Sequence, residues 1–310
     1  MEMLLGLIGL VFLVVFYLRR FLLRRDIEPA TRVVFEGDLY RVGNATLGVQ
    51  RHGNPTRTVV VVHGFVENFL YFTHYYQQPD LELISVTCAG YNLPVEAPRF
   101  SRAEWVQVPQ QPEGSIAHDA AVLIQALENL VSTETVRVHG HSRGGAVVLE
   151  AARLRPDLFE RVEVILEAPV LPQGRPYAPM PGWFIWFLPF FLAAWQQNPI
   201  NERNRSMWGS LENPQKRSLV MGYPFNGQRA SVLMANLRDM NRWMREEDAH
   251  LFANVQRGAI LVPERDRVLH PGAMLAAASQ AQNLQIIEIP EGSHFVIFDD
   301  PDRVPPLPQA

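Results

Sequence analysis

The stretch Gly140-His141-Ser142-Arg143-Gly144, followed by Gly145, decides how this chain is read. Before it, Glu134-Thr135-Val136-Arg137-Val138 has the composition of a short strand. After it, Ala146 to Leu154 reads as a helix. A serine between strand and helix, with glycine two positions away on each side, fits the Gly-x-Ser-x-Gly turn that presents a nucleophile. The turn is sharp and its backbone strained, so the residues that meet across it must be small. The pentapeptide alone is a weak signal, and its surroundings make it informative.

Working outward, Thr58 to Val62 is a β-branched run suited to a buried parallel strand, and it ends in His63-Gly64-Phe65. A backbone amide just after such a strand can bind an oxyanion. The Phe65 amide and the Arg143 amide, directly after the serine, are the two expected donors. Further on, the apolar run Ala259 to Val262 leads into Pro263-Glu264-Arg265-Asp266, and Gln285 to Ile289 leads into Pro290-Glu291-Gly292-Ser293-His294. With Ser142, Asp266 and His294 in that order, the sequence resembles the α/β-hydrolase superfamily over roughly Arg32 to Asp300. The resemblance implies a mainly parallel sheet flanked by helices. It also implies Ser142 as nucleophile, His294 as base and Asp266 as the acid that orients the base. Glu264 and Glu167 are the other carboxylates placed near an expected acid position. His63 is expected to shape the oxyanion loop and is a candidate at the substrate site. His141, beside the serine, is a further candidate at the substrate site, and His139 has no evident proton-transfer role.

Composition narrows the classes. The chain has 310 residues, 47 % of them hydrophobic, which supports a sizeable core. A net charge of −4 gives no hint of nucleic-acid binding. Cys88 is the only cysteine, so no intrachain disulfide can form, and Lys216 is the only lysine. The nine histidines show no metal-ligand spacing, so neither metal nor cofactor is expected. Nothing in the sequence specifies an oligomeric state.

Met3 to Leu18 is unbroken apolar sequence, extended by Phe21-Leu22-Leu23 and bracketed by Arg19, Arg20, Arg24 and Arg25. A secretory leader would carry its positive charge first and a small-residue cleavage site last. Here Glu2 stands in front and the arginines behind. The expectation is an uncleaved membrane anchor over residues 1–25, with Arg19 and Arg20 reaching toward headgroups. The arginines favour a cytoplasmic catalytic domain; the periplasmic face of a bacterial inner membrane is the alternative.

Between anchor and elbow, Arg32 to Tyr40 and Ala45 to Gln50 read as an antiparallel pair turning at Gly43-Asn44. Leu83 to Thr87 is a strand, Ile116 to Leu130 an amphipathic helix and Val162 to Leu166 the sixth strand. The expected core is 26–168 with 248–310, interrupted by a cap at 169–247, the usual place for one in this superfamily. Gly182 to Trp195 is apolar on every side with a kink expected at Pro189. Such a helix packs onto the core, or touches lipid, or lines an acyl pocket with Trp183, Trp186, Phe187 and Phe190. Asn236 to Glu247 returns the chain to the core. The proline-rich end, Asp300 to Pro308, cannot form the final helix that relatives carry.

The function these features suggest is a membrane-anchored serine esterase whose partner is a lipid or other ester: a lipase, lysophospholipase or phospholipase A. The layout is similar to bacterial membrane-bound phospholipase A enzymes of the superfamily. Acyl transfer to an alcohol or carbon–carbon hydrolysis would use the same triad. A non-catalytic membrane scaffold is a third possibility. Dehalogenase and epoxide hydrolase relatives use an aspartate nucleophile, which this chain lacks at position 142.

Overall fold

A computed structural model describes residues 2–29, 31–51, 53–222 and 229–309. The described strands are β1 (Asp38–Val42), β2 (Ala45–Arg51), β3 (Arg57–Val62), β4 (Leu81–Thr87), β5 (Phe100–Ser101), β6 (Thr135–His141), β7 (Glu163–Glu167), β8 (Gly258–Pro263) and β9 (Gln285–Ile289). They form one sheet in the order β5-β1-β2-β4-β3-β6-β7-β8-β9. From β4 to β9 every neighbour is parallel, while β2 runs antiparallel to both β1 and β4. The valines of β3 are buried on both faces, as a central parallel strand requires. This is the α/β-hydrolase fold.

The described helices are α1 (Glu2–Arg24), α2 (Leu70–Thr73), α3 (Ile116–Asn129), α4 (Arg143–Leu154), α5 (Pro156–Phe159), α6 (Phe184–Gln197), α7 (Arg205–Trp208), α8 (Pro214–Gly222), α9 (Ala230–Glu246), α10 (Pro271–Ala278) and α11 (Val296–Asp299). The crossover helix α3 is capped by Ser115, whose side chain accepts from the His118 amide, and it packs beside α4. Helices α6 to α9 lie between β7 and β8, in the segment where the sequence leads one to expect a cap.

Two expectations need correcting. The first strand begins at Asp38, not Arg32: Val33 makes only an isolated bridge to Val95, while Val33 and Phe35 pack beside Phe69. Side-chain burial, not a ladder, explains the apolar run there. The strand before the insertion is the seventh, because two-residue β5 adds an edge that no periodicity could reveal. The C-terminus agrees with its sequence. A single turn, α11, and a 3-10 turn at Pro301–Arg303 end the regular structure. The tail is held instead by Arg137, which donates to the carbonyls of Pro305 and Pro306.

Candidate active site

Ser142 sits between β6 and α4 with φ 52° and ψ −119°. The turn is fixed from both sides. Its amide donates to the Glu167 carbonyl at 2.9 Å, and its carbonyl accepts from Gly145 at 3.0 Å and Val170 at 2.9 Å. Glycine is obligatory at 144, where a Cβ would lie 2.1 Å from the Val62 carbonyl oxygen. It is equally so at 64, where a Cβ would lie 2.8 Å from that of Ser142. The loop after β3 therefore lies directly against the serine. That loop carries its own strain: Val66, a β-branched residue, has φ 58°. The Arg143 amide opens α4 and so has no intrahelical acceptor, at the positive end of the helix dipole.

Asp266 and His294 come together from the loops after β8 and β9. His294 Nδ1 is 2.6 Å from Asp266 Oδ2, while Asp266 Oδ1 accepts the amides of Val268 at 2.7 Å and Leu269 at 2.9 Å. With both carboxylate oxygens engaged, the His294 proton sits on Nδ1, which leaves Nε2 as an acceptor. Of the alternative acids, Glu264 is exposed. Glu167 is buried on other partners: it accepts from Tyr71 Oη at 2.6 Å and the Ile297 amide at 2.9 Å, with His139 Nε2 at 3.0 Å. The hydrogen bonds do not include one between Ser142 and His294. His141, the residue before Ser142, donates from Nε2 to the His294 carbonyl at 2.8 Å, and its ring centroid is 4.8 Å from that of His294. Catalytic hydrogen bonds are often long before substrate binds.

His141 proves to be the centre of a buried charge pair. Its Nδ1 is 2.7 Å from Glu67 Oε2, which also accepts the Gly64 amide at 2.7 Å. Both ring nitrogens thus face acceptors, the arrangement of an imidazolium. Burial opposes that charge, but the Glu67 carboxylate outweighs it and holds the pKa up at about 9. The Tyr71 ring stacks on His141 at 4.1 Å. His63 bridges two loops instead: Nδ1 meets the Gly64 carbonyl at 2.8 Å and Nε2 accepts the Cys88 amide at 3.1 Å, and burial lowers its pKa.

Further buried groups tie the insertion to this floor, and sequence patterns gave no sign of them. The Arg143 side chain pairs with Asp119 at 2.7 Å; burial works against the Asp119 charge, and the guanidinium more than offsets it, lowering the carboxyl pKa. Arg143 and Asn236 of α9 both donate to the Gly114 carbonyl, and Tyr91 Oη donates to Asn236 at 3.1 Å. Lys216 of α8 is fully buried and bonds Ser293 Oγ at 3.1 Å and Asp299, so the only lysine holds the residue beside His294. Its rarity was the one available signal. At the start of α6, Trp183 and Phe187 stand exposed, 67 % and 39 % respectively. Trp186 and Phe190 are half-buried, with ring centroids 6.2 Å apart.

Residues 59–305 match the model of the Alpha/beta hydrolase family, and the chain belongs to that family. Among solved structures, it is similar to an esterase from Exiguobacterium antarcticum, at 13 % identity and TM-score 0.61 over 86 % of this chain and 96 % of that one. A bromoperoxidase from Bacillus anthracis has 13 % identity and TM-score 0.57, with 86 % and 96 % covered. An esterase from Rhodococcus sp. ECU1013 has 17 % identity and TM-score 0.54, with 86 % and 94 % covered. At these identities the likeness is one of fold. No curated protein matches the chain in sequence.

Proposed function

We propose that this protein is a membrane-anchored serine hydrolase that cleaves carboxylic esters, those of lipids foremost. The observation that carries the reading is the His294–Asp266 pair, with Asp266 held by two backbone amides and the His294 carbonyl bonded to His141, the residue before the strained serine. Ser142 Oγ attacks the ester carbonyl as His294 Nε2 takes its proton, and Asp266 stabilises the imidazolium. The amides of Phe65 and Arg143 hold the oxyanion, each contributing about 3 kcal/mol to the barrier reduction. His294 then protonates the leaving alcohol, and water resolves the acyl-enzyme. Residues 169–247 act as the cap, and Trp186 and Phe190 flank the acyl chain.

The lipid reading rests on α1, whose 23 residues contain none that is buried. It is continuous with the folded domain: Leu23 packs on the core, the Ile27 carbonyl accepts from Asn92, and Asp26 pairs with Arg229. Such contacts favour a retained anchor over a cleaved leader. In this reading the four arginines favour the cytoplasmic side for the catalytic domain. The test is a panel of p-nitrophenyl esters, monoacylglycerol, lysophospholipid and phospholipid given to the detergent-solubilised chain. Hydrolysis of lipid esters with release of free fatty acid supports the assignment. Turnover of none of them would refute it.

A further inference from the structure

Helix α1 has two parts. Residues 2–14 are exposed on all sides. From residue 15 onward one stripe, Val15, Arg19, Leu22 and Leu23, is partly buried where α1 meets α6 and α9. Arg19 fixes the meeting point. Its Nε donates to the Trp186 carbonyl at 2.9 Å and its guanidinium lies 4.7 Å above the Trp186 ring, so it does not reach outward as its position in the sequence suggests. Arg25 adds a bond to Gln196 at 3.2 Å.

The faces of α6 are sorted, although its sequence is apolar all round. Ile185, Leu188, Pro189 and Leu192 are buried. Trp183, Phe187 and Phe191, spaced four residues apart, form the opposite face and are 67 %, 39 % and 45 % exposed. Trp183 and Phe187 meet edge to face at 6.1 Å. Three large aromatic side chains in a row on the surface are costly in water and suited to the headgroup boundary of a bilayer.

Length connects the two helices. A hydrocarbon core of about 30 Å needs about 20 helical residues. The free part of α1, residues 2–14, rises only about 20 Å at about 1.5 Å per residue. Within the described helix, the remaining length is supplied by residues 15–24, which already touch α6. If α1 spans, α6 cannot stand clear of the membrane.

We infer that the outer face of α6, Trp183, Phe187 and Phe191, is immersed in the lipid interface beside the end of α1, with Arg19 clamping the two helices into one membrane-contacting unit. This rests on the reading of α1 as a span and adds to it a fixed depth for the catalytic domain. The insertion that holds Ser293 through Lys216 and the Gly114 loop through Asn236 is then itself seated on the bilayer.

Cys88 is fully buried, so a cysteine introduced at the surface can be labelled selectively. The full chain carrying Phe187→Cys or Phe191→Cys is labelled with a nitrobenzoxadiazole fluorophore and reconstituted into phosphatidylcholine vesicles. Arg161→Cys, exposed just before β7 at the sheet end remote from the elbow, is the control. Doxyl groups near the headgroup are expected to quench the labels at 187 and 191 at least twofold more than the label at 161. Equal quenching at all three positions in protein that floats with vesicles would overturn the α6 contact and leave the anchor standing. Protein that does not float would remove the anchor and this inference with it. Self-quenching between labels at 187 without doxyl quenching would assign the face to a second copy and likewise overturn the inference.

Discussion

Beneath Ser142, charged and polar side chains are buried and matched: His141 with Glu67, His294 with Asp266, Arg143 with Asp119. On the outside of α6, aromatic side chains that water disfavours are exposed with no matching surface among the described residues. Both regions defy the usual sorting of residues by polarity. In the first, partners within the chain compensate each departure, which fixes geometry at the cost of desolvation. In the second, the compensation has to come from outside the chain. The polar floor carries the proposed chemistry, and in the inferred arrangement the aromatic face sets where that chemistry takes place.

That contrast can be broken most sharply at the floor. Ser142→Ala is expected to lower turnover of a p-nitrophenyl ester by a factor on the order of a million, with the fold kept, as steady-state kinetics and circular dichroism would report. Asp266→Asn should cost about 10⁴ in kcat by destroying the tautomer that Asp266 imposes on His294. Glu264→Gln, at an exposed side chain, should leave kcat within about twofold, so a comparable loss there would shift the acid assignment.

The next effects act through support. Lys216→Met leaves Asp299 and Ser293 without their buried cation, so stability should fall by about 3 kcal/mol in denaturant titration. A drop in kcat with little change in KM should accompany it, because Ser293 precedes His294. His141 gives a pH signature. Its folded pKa, about 9, lies above the unfolded value of about 6.5. Its charge therefore stabilises the fold fully below pH of about 6.5, and that contribution is lost as pH rises through about 9. The loss amounts to about 3 kcal/mol at about 1.4 kcal/mol per pH unit. Melting temperatures measured from pH 6 to 10 should fall, and in His141→Gln the fall should be smaller. Parallel curves would show that His141 is neutral in the fold.

The smallest effect belongs to the insertion. Phe190→Ser should reduce activity on long acyl chains more than on acetate esters, since each buried methylene is worth about 0.8 kcal/mol. A uniform loss with a lower melting temperature would make Phe190 a packing residue.

Local features were legible in the sequence because their causes are local. The glycines of the elbow answer contacts within a turn, and the valines of β3 announce a strand buried on both faces. Position 266 could be marked as an acid by its place after a strand, but only the 2.6 Å contact separates it from Glu167. The floor was illegible for a different reason. Glu67 and His141 are 74 residues apart and Lys216 and Ser293 are 77 apart, and no periodicity connects residues that meet only after folding. Helix α10 was open to detection: Pro271 at its first turn, after a capping His270, is a start signal. In α6 an all-apolar sequence hid which side faces outward, since packing partners decide that.

The central claim is that Ser142 is the nucleophile of this fold. The most direct test treats the detergent-solubilised chain with a fluorophosphonate and maps the adduct by peptide mass spectrometry. The expected result is one phosphonylated residue, Ser142, with labelling lost in Ser142→Ala and slowed in Asp266→Asn. An adduct on another residue, or undiminished labelling of Ser142→Ala, would contradict it.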